Sequence, residues 1–152
     1  MPTTISIEPP RQAEIERLLH LSAEYAQSLY PPESNFLMSV DELETPDVTF
    51  YVARGQDEEA QGIAALVSVA PGRAELKRMF VDPLARGQGI ADLLLERIET
   101  DAMIRGIREI VLETGPLHEA ALGLYRKHGY DEIPPFGPYV GEEFSVCFAK
   151  GL

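Results

Sequence analysis

The sequence predicts an α/β fold, and three observations support this prediction. The chain of 152 residues is long enough to bury a core. Hydrophobic residues make up 45% and charged residues 25% of it, a balance that favours a globular protein over a disordered one. Short apolar runs alternate with segments of helical periodicity. We expect one domain over residues 1–152, because no repeat, low-complexity tract or linker interrupts the chain.

The N-terminal half predicts four strands and one long helix. Residues 4–7 form a short strand, and Pro9-Pro10 introduces a helix from about residue 11 to residue 29. Its apolar face contains Ile15, Leu18 and Leu19. Prolines follow this helix and end it, because proline lacks the amide donor and clashes inside a helix. Further strands are predicted at residues 48–53, 62–69 and 73–81, joined by turns at 55–61 and 71–72.

The C-terminal half alternates helices and strands. A helix is predicted from about residue 89 to residue 105, with Gly106 as a plausible C-cap. The continuous apolar run at residues 110–112 indicates a buried strand. A short helix at 119–127 is stopped by Gly129, and the last strand is predicted at 144–148.

A glycine-bearing turn between the third long strand and the second helix indicates an anion site. The first amides of a helix have no partner within it, and the helix dipole adds partial positive charge there. Gly87 and Gly89 let an anion approach these amides, and Arg86 supplies a charged donor fork. The expected ligand is a phosphate or pyrophosphate. Asp92 occupies the place of the third glycine of a dinucleotide motif, and no P-loop motif is present. Alternatively, the glycines serve only the geometry of the turn.

Two motifs resemble the GNAT superfamily of N-acetyltransferases. Arg86, Gly89 and Ala91 match the pattern R-x-x-G-x-A, preceded by V-D-P at 81–83, and residues 124–130 (L-Y-R-K-H-G-Y) resemble the family's L-Y-x-x-x-G-F segment. The resemblance implies a mixed, twisted central sheet flanked by helices, whose splayed strands form a cleft for acetyl-coenzyme A. It also implies acetyl transfer to an amine by direct attack in a ternary complex. By this resemblance, the pyrophosphate is held by Arg86, Gly87, Gln88, Gly89, Ile90 and Ala91.

The strand at 73–81 is expected to border the cleft. Simple alternation places Glu75, Lys77, Met79 and Val81 on one side of it and Leu76, Arg78 and Phe80 on the other. The resemblance implies that the backbone of Met79, Phe80 and Val81 binds the acetyl and pantetheine portions. Core packing of these side chains is compatible with that role.

Acid–base chemistry is assigned to three residues as hypotheses. Glu75 is the first candidate for the base that deprotonates the amine, and its alternative role is a charge paired with Lys77 or Arg73. Glu113 is the rival base, and water alone is a third possibility. Tyr125 matches the family tyrosine near the thioester sulfur. With an ordinary pKa of about 10 it is protonated and able to donate a proton, or it serves only packing.

The acceptor is an amine of a small molecule or a peptide, and its pocket is predicted from two loop segments. Residues 30–37 and 134–139 are the expected walls, with Glu33, Arg78, Glu113 and Tyr139 as pocket residues. Glu33 or Glu113 would bind a cationic acceptor, whereas Arg78 would bind a carboxylate. His118 replaces an asparagine that many family members carry, and we assign it no catalytic role.

Charge and residue usage exclude several other classes. The net charge of −12, from 13 basic and 25 acidic residues, disfavours binding to nucleic acid or to an anionic membrane. The single Cys147 and the absence of an evident signal peptide indicate the cytoplasm. The three histidines are scattered, so no metal site is expected. A homodimer is compatible with the resemblance. The alternative functions are a non-catalytic acyl-coenzyme A sensor and an acyltransferase that uses a longer acyl donor.

Overall fold

The protein, described by a computed structural model over residues 2–152, has a seven-stranded sheet flanked by four helices. The strand order is β1-β2-β3-β4-β5-β7-β6, and every neighbouring pair is antiparallel except β4 and β5. The predicted α/β fold with a mixed sheet is therefore confirmed. The strands are β1 (Thr4–Ile7), β2 (Val48–Arg54), β3 (Ala60–Ala70), β4 (Arg73–Val81), β5 (Glu109–Thr114), β6 (Asp131–Ile133) and β7 (Val146–Gly151), and the helices are α1 (Ala13–Leu29), α2 (Val40–Leu43), α3 (Ile90–Ile104) and α4 (Glu119–Lys127).

Both faces of the sheet are buried. On one face, Leu94 and Ile98 of α3 pack against Leu76 and Phe148 of the sheet. On the other face, Ile15 and other apolar residues of α1 pack against β2 and β3. Because central strands are covered on both sides, their sequences are continuous apolar runs rather than alternating ones.

Several predicted boundaries differ from the structure by one to three residues. The last strand begins at Val146 and not at residue 144, and it continues to Gly151. Two elements were missed. The short helix α2 begins with a capping box in which Ser39 and Glu42 bond each other's backbone amides, an S-x-x-E signal that was legible in the sequence. The strand β6 has only three residues, which is too short for a periodic signal.

A β-bulge in β4 changes which side chains share a face. Ile63 of β3 pairs with Phe80, but Ala65 pairs with Lys77, so β4 carries an extra residue at this point. Arg78 adopts a left-handed backbone with φ of 57°. Met79 and Val81 therefore pack with Leu76 against the α3 side, and Phe80 packs against the α1 side. The predicted simple alternation was wrong beyond Lys77, because the bulge inverts it.

The strands β4 and β5 separate before they end. Their parallel pairing stops at Leu76 and Leu112, although β4 continues to Val81 and β5 to Thr114. The last residues of β4 therefore present unpaired backbone groups to the gap. This separation agrees with the predicted splayed strands and opens the cleft described next.

Candidate active site

A cleft of about 620 Å³ begins where β4 and β5 diverge. This volume lies within the range of small-molecule and cofactor pockets. Residues 76–81 of β4 and 113–115 at the end of β5 line its floor. The C-terminal half of α1, the N-terminal end of α3 and the length of α4 form its walls. Ser22, Tyr25 and Ala26 of α1 line the cleft, and they were not predicted to do so. Their i, i+3, i+4 spacing in the sequence places them on one face of the helix.

The predicted anion site lies at one end of this cleft. Gly89 is the N-cap of α3 with φ of 75°, and Gly87 has φ of 80°. A Cβ atom on Gly87 would meet nothing within 4 Å, so the backbone conformation, and not lack of space, requires glycine there. No side chain caps the first amides of α3. Arg86 lies over the rings of Tyr25 and Phe80, at 5.9 and 5.7 Å from their centroids. These features fit a pyrophosphate.

The acidic residue in the first turn of α3 is neutralised. Asp92 pairs with Lys127 and with His128 Nε2, at 2.5 and 2.7 Å. These hydrogen bonds, first that of Lys127, lower the pKa of Asp92 below its ordinary value. The pairs tie α3 to the end of α4 and offset a negative charge that would oppose anion binding beside the glycine turn.

Tyr125 lies on α4 with its hydroxyl towards the cleft. Its side chain is 5% exposed, and its ring packs against Tyr130 and Phe148. Its hydroxyl forms no hydrogen bond with residues 2–152, and the residue lines the cleft. Burial, and then the charge of Glu113, raises the pKa of Tyr125 above its ordinary value of 10. The phenol is therefore protonated at neutral pH and has a proton to donate.

Glu113 faces the same cleft from the end of β5. Ser145 Oγ donates a hydrogen bond of 2.8 Å to its Oε2, and no donor within the described chain reaches Oε1. Burial raises the pKa of Glu113 above the ordinary 4.5, against the opposing effects of Ser145 and Lys77. A carboxylate with a raised pKa and a free oxygen is suited to accept a proton.

Glu75 and Tyr139 meet each other behind the cleft wall and do not line it. The buried Tyr139 donates a hydrogen bond of 2.6 Å to Glu75 and accepts one of 2.9 Å from Lys77. Lys77 Nζ also lies 3.8 Å from Glu75, as one alternative predicted, whereas Arg73 pairs with Glu109. Glu75 thus contacts Tyr139 and Lys77 inside the protein. Unlike Glu113, it does not line the cleft.

Arg78 lines the cleft beside α1. Its Nη2 donates a hydrogen bond of 2.9 Å to the carbonyl oxygen of Leu19. Its Nε is buried and bonds to nothing within residues 2–152. Burial lowers the pKa of Arg78 to about 10, so the guanidinium is charged at neutral pH.

The remaining predicted residues divide between wall and surface. Met79, Phe80, Val81, Ile90 and Ala91 line the cleft. Glu33 and Gln88 are exposed and do not line it. The predicted wall at 30–37 is present through Tyr30 and residues 34–37, whereas none of residues 134–139 reaches the cleft.

His118, to which the sequence assigned no catalytic role, lines the cleft beside Tyr30 of the predicted wall. Tyr30 Oη accepts a hydrogen bond of 2.8 Å from the amide of Leu117 and lies 3.3 Å from His118 Nδ1. A Cβ atom on Gly115 would lie 2.0 Å from Tyr30 Oη. Tyr30 therefore occupies space that only glycine at 115 leaves open.

We expect Gly115→Ala to destabilise the protein by about 1–3 kcal/mol, because the new methyl group must displace Tyr30. Urea unfolding of the purified variant measures this cost. Gly123→Ala is the matched control. It places a methyl group in open space on α4, so we expect a gain of roughly 0.5–1 kcal/mol from helix propensity. Equal stability of Gly115→Ala and the wild type would contradict the packing of Tyr30.

Comparisons with known proteins agree with this site. A profile of the acetyltransferase (GNAT) family matches residues 15–130. An IAA acetyltransferase of Azospirillum brasilense is 40% identical over 149 residues, which covers 98% of this chain and 97% of that protein. An uncharacterized N-acetyltransferase, YedL of Escherichia coli (strain K12), is 36% identical over 79% of this chain and 75% of that protein. A candidate acyl-CoA N-acyltransferase from Klebsiella pneumoniae has a similar structure, with a TM-score of 0.83 and 30% identity over 99% of this chain and 97% of that one.

The open cleft between diverging strands and the glycine turn beside it define an acyl-coenzyme A site. The chain belongs to the GNAT family of acetyltransferases. It is an acetyl-CoA-dependent N-acetyltransferase, as the two motifs predicted. None of the helices in residues 2–152 has both the length and the apolar composition that crossing a bilayer requires. No group of three or more His, Cys, Asp or Glu residues in the same range is arranged to bind a metal ion.

Proposed function

We propose that the protein acetylates the amine of a small molecule or a peptide by direct attack in a ternary complex, with Glu113 as base and Tyr125 as acid. One observation carries this proposal. Both side chains face the cleft at the divergence of β4 and β5, and each keeps a functional oxygen without a protein partner. Glu75 is the less favoured base, because it does not line the cleft and its Oε2 contacts Tyr139 and Lys77.

The bound coenzyme supplies an acetyl thioester. Glu113 accepts the proton that the amine nitrogen loses, directly or through a water, as the new nitrogen–carbon bond forms. The carbon–sulfur bond breaks, and its electron pair goes to sulfur. Tyr125 gives its proton to that sulfur and regains one from solvent. The raised pKa of Tyr125 keeps it protonated before the transfer.

We propose further that the glycine turn binds the pyrophosphate through the backbone amides of residues 86–91. The edge of Met79, Phe80 and Val81 that faces away from β3 is proposed to bond the acetyl-pantetheine arm as an added strand would. The end of β4–β5 pairing at Leu76 supports this, because the edge of β4 beyond it faces the cleft.

Arg86→Ala is expected to weaken acetyl-CoA binding roughly 10- to 100-fold, because it removes a charge-assisted contact to phosphate. Isothermal titration calorimetry measures the dissociation constant. Arg105→Ala is the control, since this exposed arginine lies at the opposite end of α3. An unchanged affinity in Arg86→Ala would remove Arg86 from the proposed phosphate site.

The first experiment is calorimetric titration with acetyl-CoA, paired with a thiol-release assay over a panel of amines. We expect binding and release with at least one amine. Binding without release from any amine would favour the alternative, a non-catalytic acyl-coenzyme A sensor. Faster release from longer acyl thioesters would favour the second alternative, a longer acyl donor.

The proposed compartment is the cytoplasm. The single Cys147 is a buried free thiol, which is compatible with a reducing environment. A homodimer is proposed only by analogy with the family.

A further inference from the structure

Arg78 is a cation at the acceptor side of the cleft that has no anionic partner in residues 2–152. The other basic residues of the cleft differ from it. Lys77 contacts Glu75 and Tyr139, and Lys127 pairs with Asp92. Arg86 lies beside the glycine turn, at the proposed phosphate site. The charge of Arg78 is therefore left for a ligand.

Two features of Arg78 are energetically unfavourable in the protein without a ligand. The buried Nε has no hydrogen-bond partner, and burying such a group is unfavourable. The left-handed backbone, with φ of 57°, is also unfavourable for a residue with a side chain. The left-handed conformation belongs to the β4 bulge, and β-bulges are frequent next to active sites. A carboxylate is the suitable partner, because the guanidinium fork matches its two oxygens.

The carboxylate of Glu113 lines the same cleft. Glu113 follows the last paired residue of β5, Leu112, and Arg78 lies two positions beyond the last paired residue of β4, Leu76. The two strand ends that form the gap thus carry opposite charges. Glu113 accepts a protein hydrogen bond only at Oε2, from Ser145, and Arg78 has no anionic partner among the described residues. A ligand that complements both would carry an amine and a carboxylate.

We propose that the acceptor is a small amino acid or a close analogue, with its carboxylate bound by Arg78 and its amine facing Glu113. This inference rests on the proposed function, and it narrows the acceptor class. Earlier alternatives assigned a cationic acceptor to Glu113 or a carboxylate to Arg78. A single zwitterionic acceptor satisfies both, with its amine at Glu113 and its carboxylate at Arg78.

The test compares each standard L-amino acid with its carboxamide in the thiol-release assay. Each pair has the same side chain, and the carboxamide lacks the negative charge of the carboxylate. For the best pair, we expect the wild type to prefer the free acid at least tenfold in kcat/KM. Arg78→Gln removes the charge and is expected to abolish this preference, mainly through KM. Arg78→Lys keeps the charge without the fork and is expected to retain only part of it. Arg105→Gln, at a distant exposed site, is the matched control.

Binding provides a readout that does not depend on turnover. With CoA in place of acetyl-CoA, the preferred amino acid is expected to raise the melting temperature of the wild type and of Arg105→Gln, but not that of Arg78→Gln. Acetyl-CoA affinity should be the same in all of them. Weaker acetyl-CoA binding by Arg78→Gln would overturn the inference, because Arg78 would then serve the coenzyme.

The outcomes separate this inference from the function on which it rests. Equal use of acids and carboxamides would overturn the carboxylate site and leave the acetyltransferase mechanism intact. Thermal stabilisation by an amino acid without any thiol release would contradict the proposed mechanism and support the binding site. Preference for carboxamides or simple amines would assign Arg78 to a structural role.

Discussion

Tyr125→Phe is expected to lower kcat by about 10²–10⁴-fold and to leave the fold intact. This range is the usual contribution of a positioned acid or base. The hydroxyl makes no hydrogen bond with the described residues, so its removal breaks no protein contact, and the ring still packs against Tyr130 and Phe148. Thiol release under saturating acetyl-CoA measures kcat, and thermal unfolding measures stability.

Tyr130→Phe is the matched control for this variant. Tyr130 is a buried neighbour of Tyr125 that does not line the cleft, and its hydroxyl donates a hydrogen bond of 2.9 Å to Glu99. We expect it to lose roughly 1–2 kcal/mol of stability with kcat nearly unchanged. Lys150 still pairs with Glu99 in this variant. If Tyr125→Phe instead loses stability and keeps its kcat, the packing role of Tyr125 is the correct one.

Glu113→Gln is expected to lower kcat/KM by about 10²–10⁴-fold at neutral pH, because an amide does not accept the amine proton. The acidic limb of the wild-type profile should reflect Glu113 and lie above pH 4.5, since burial raises its pKa. That limb should be absent from the variant. Both proteins are assayed with the same acceptor, so that the ionisation of its amine affects the two pH profiles equally.

Glu75→Gln decides between the two candidate bases. Its carboxylate is bonded to Tyr139 behind the cleft wall, so we expect a modest change in stability and less than a tenfold change in kcat/KM. The reverse pattern, with a large loss in Glu75→Gln and a small one in Glu113→Gln, would assign the base to Glu75. Small losses in both would leave deprotonation to water.

We expect the carboxylate of Glu113 to raise the activity of the enzyme and to lower the stability of its fold. The pKa of this carboxyl is raised in the folded protein, mainly by burial. Its favourable contribution to folding is therefore complete below pH 4.5 and is lost as pH rises through the raised pKa. Above the raised pKa the ionised group opposes folding, so Glu113→Gln is expected to be at least as stable as the wild type in that pH range. Catalytic groups commonly lower the stability of the fold in this way.

Local sequence patterns predicted most of the framework. The apolar runs of β2, β3, β4 and β5 and the periodicity of α1 and α3 were sufficient to place these elements to within a few residues. The glycine turn was also predictable, because Gly87 and Gly89 adopt left-handed backbone that side chains disfavour. The short polar strand β6 carried no comparable pattern, since its stability comes from pairing with β7.

The sequence by itself determined the family and the position of the glycine turn, because both depend on residues that are close together in the chain. Only the tertiary structure decided which acidic residue faces the cleft. The bulge at Arg78 and the end of β4–β5 pairing at Leu76 depend on contacts between distant segments, and they set the direction of every side chain beyond them. For the same reason, the lack of a partner at Arg78 could be established only in the folded protein, where the neighbours of each charge are defined.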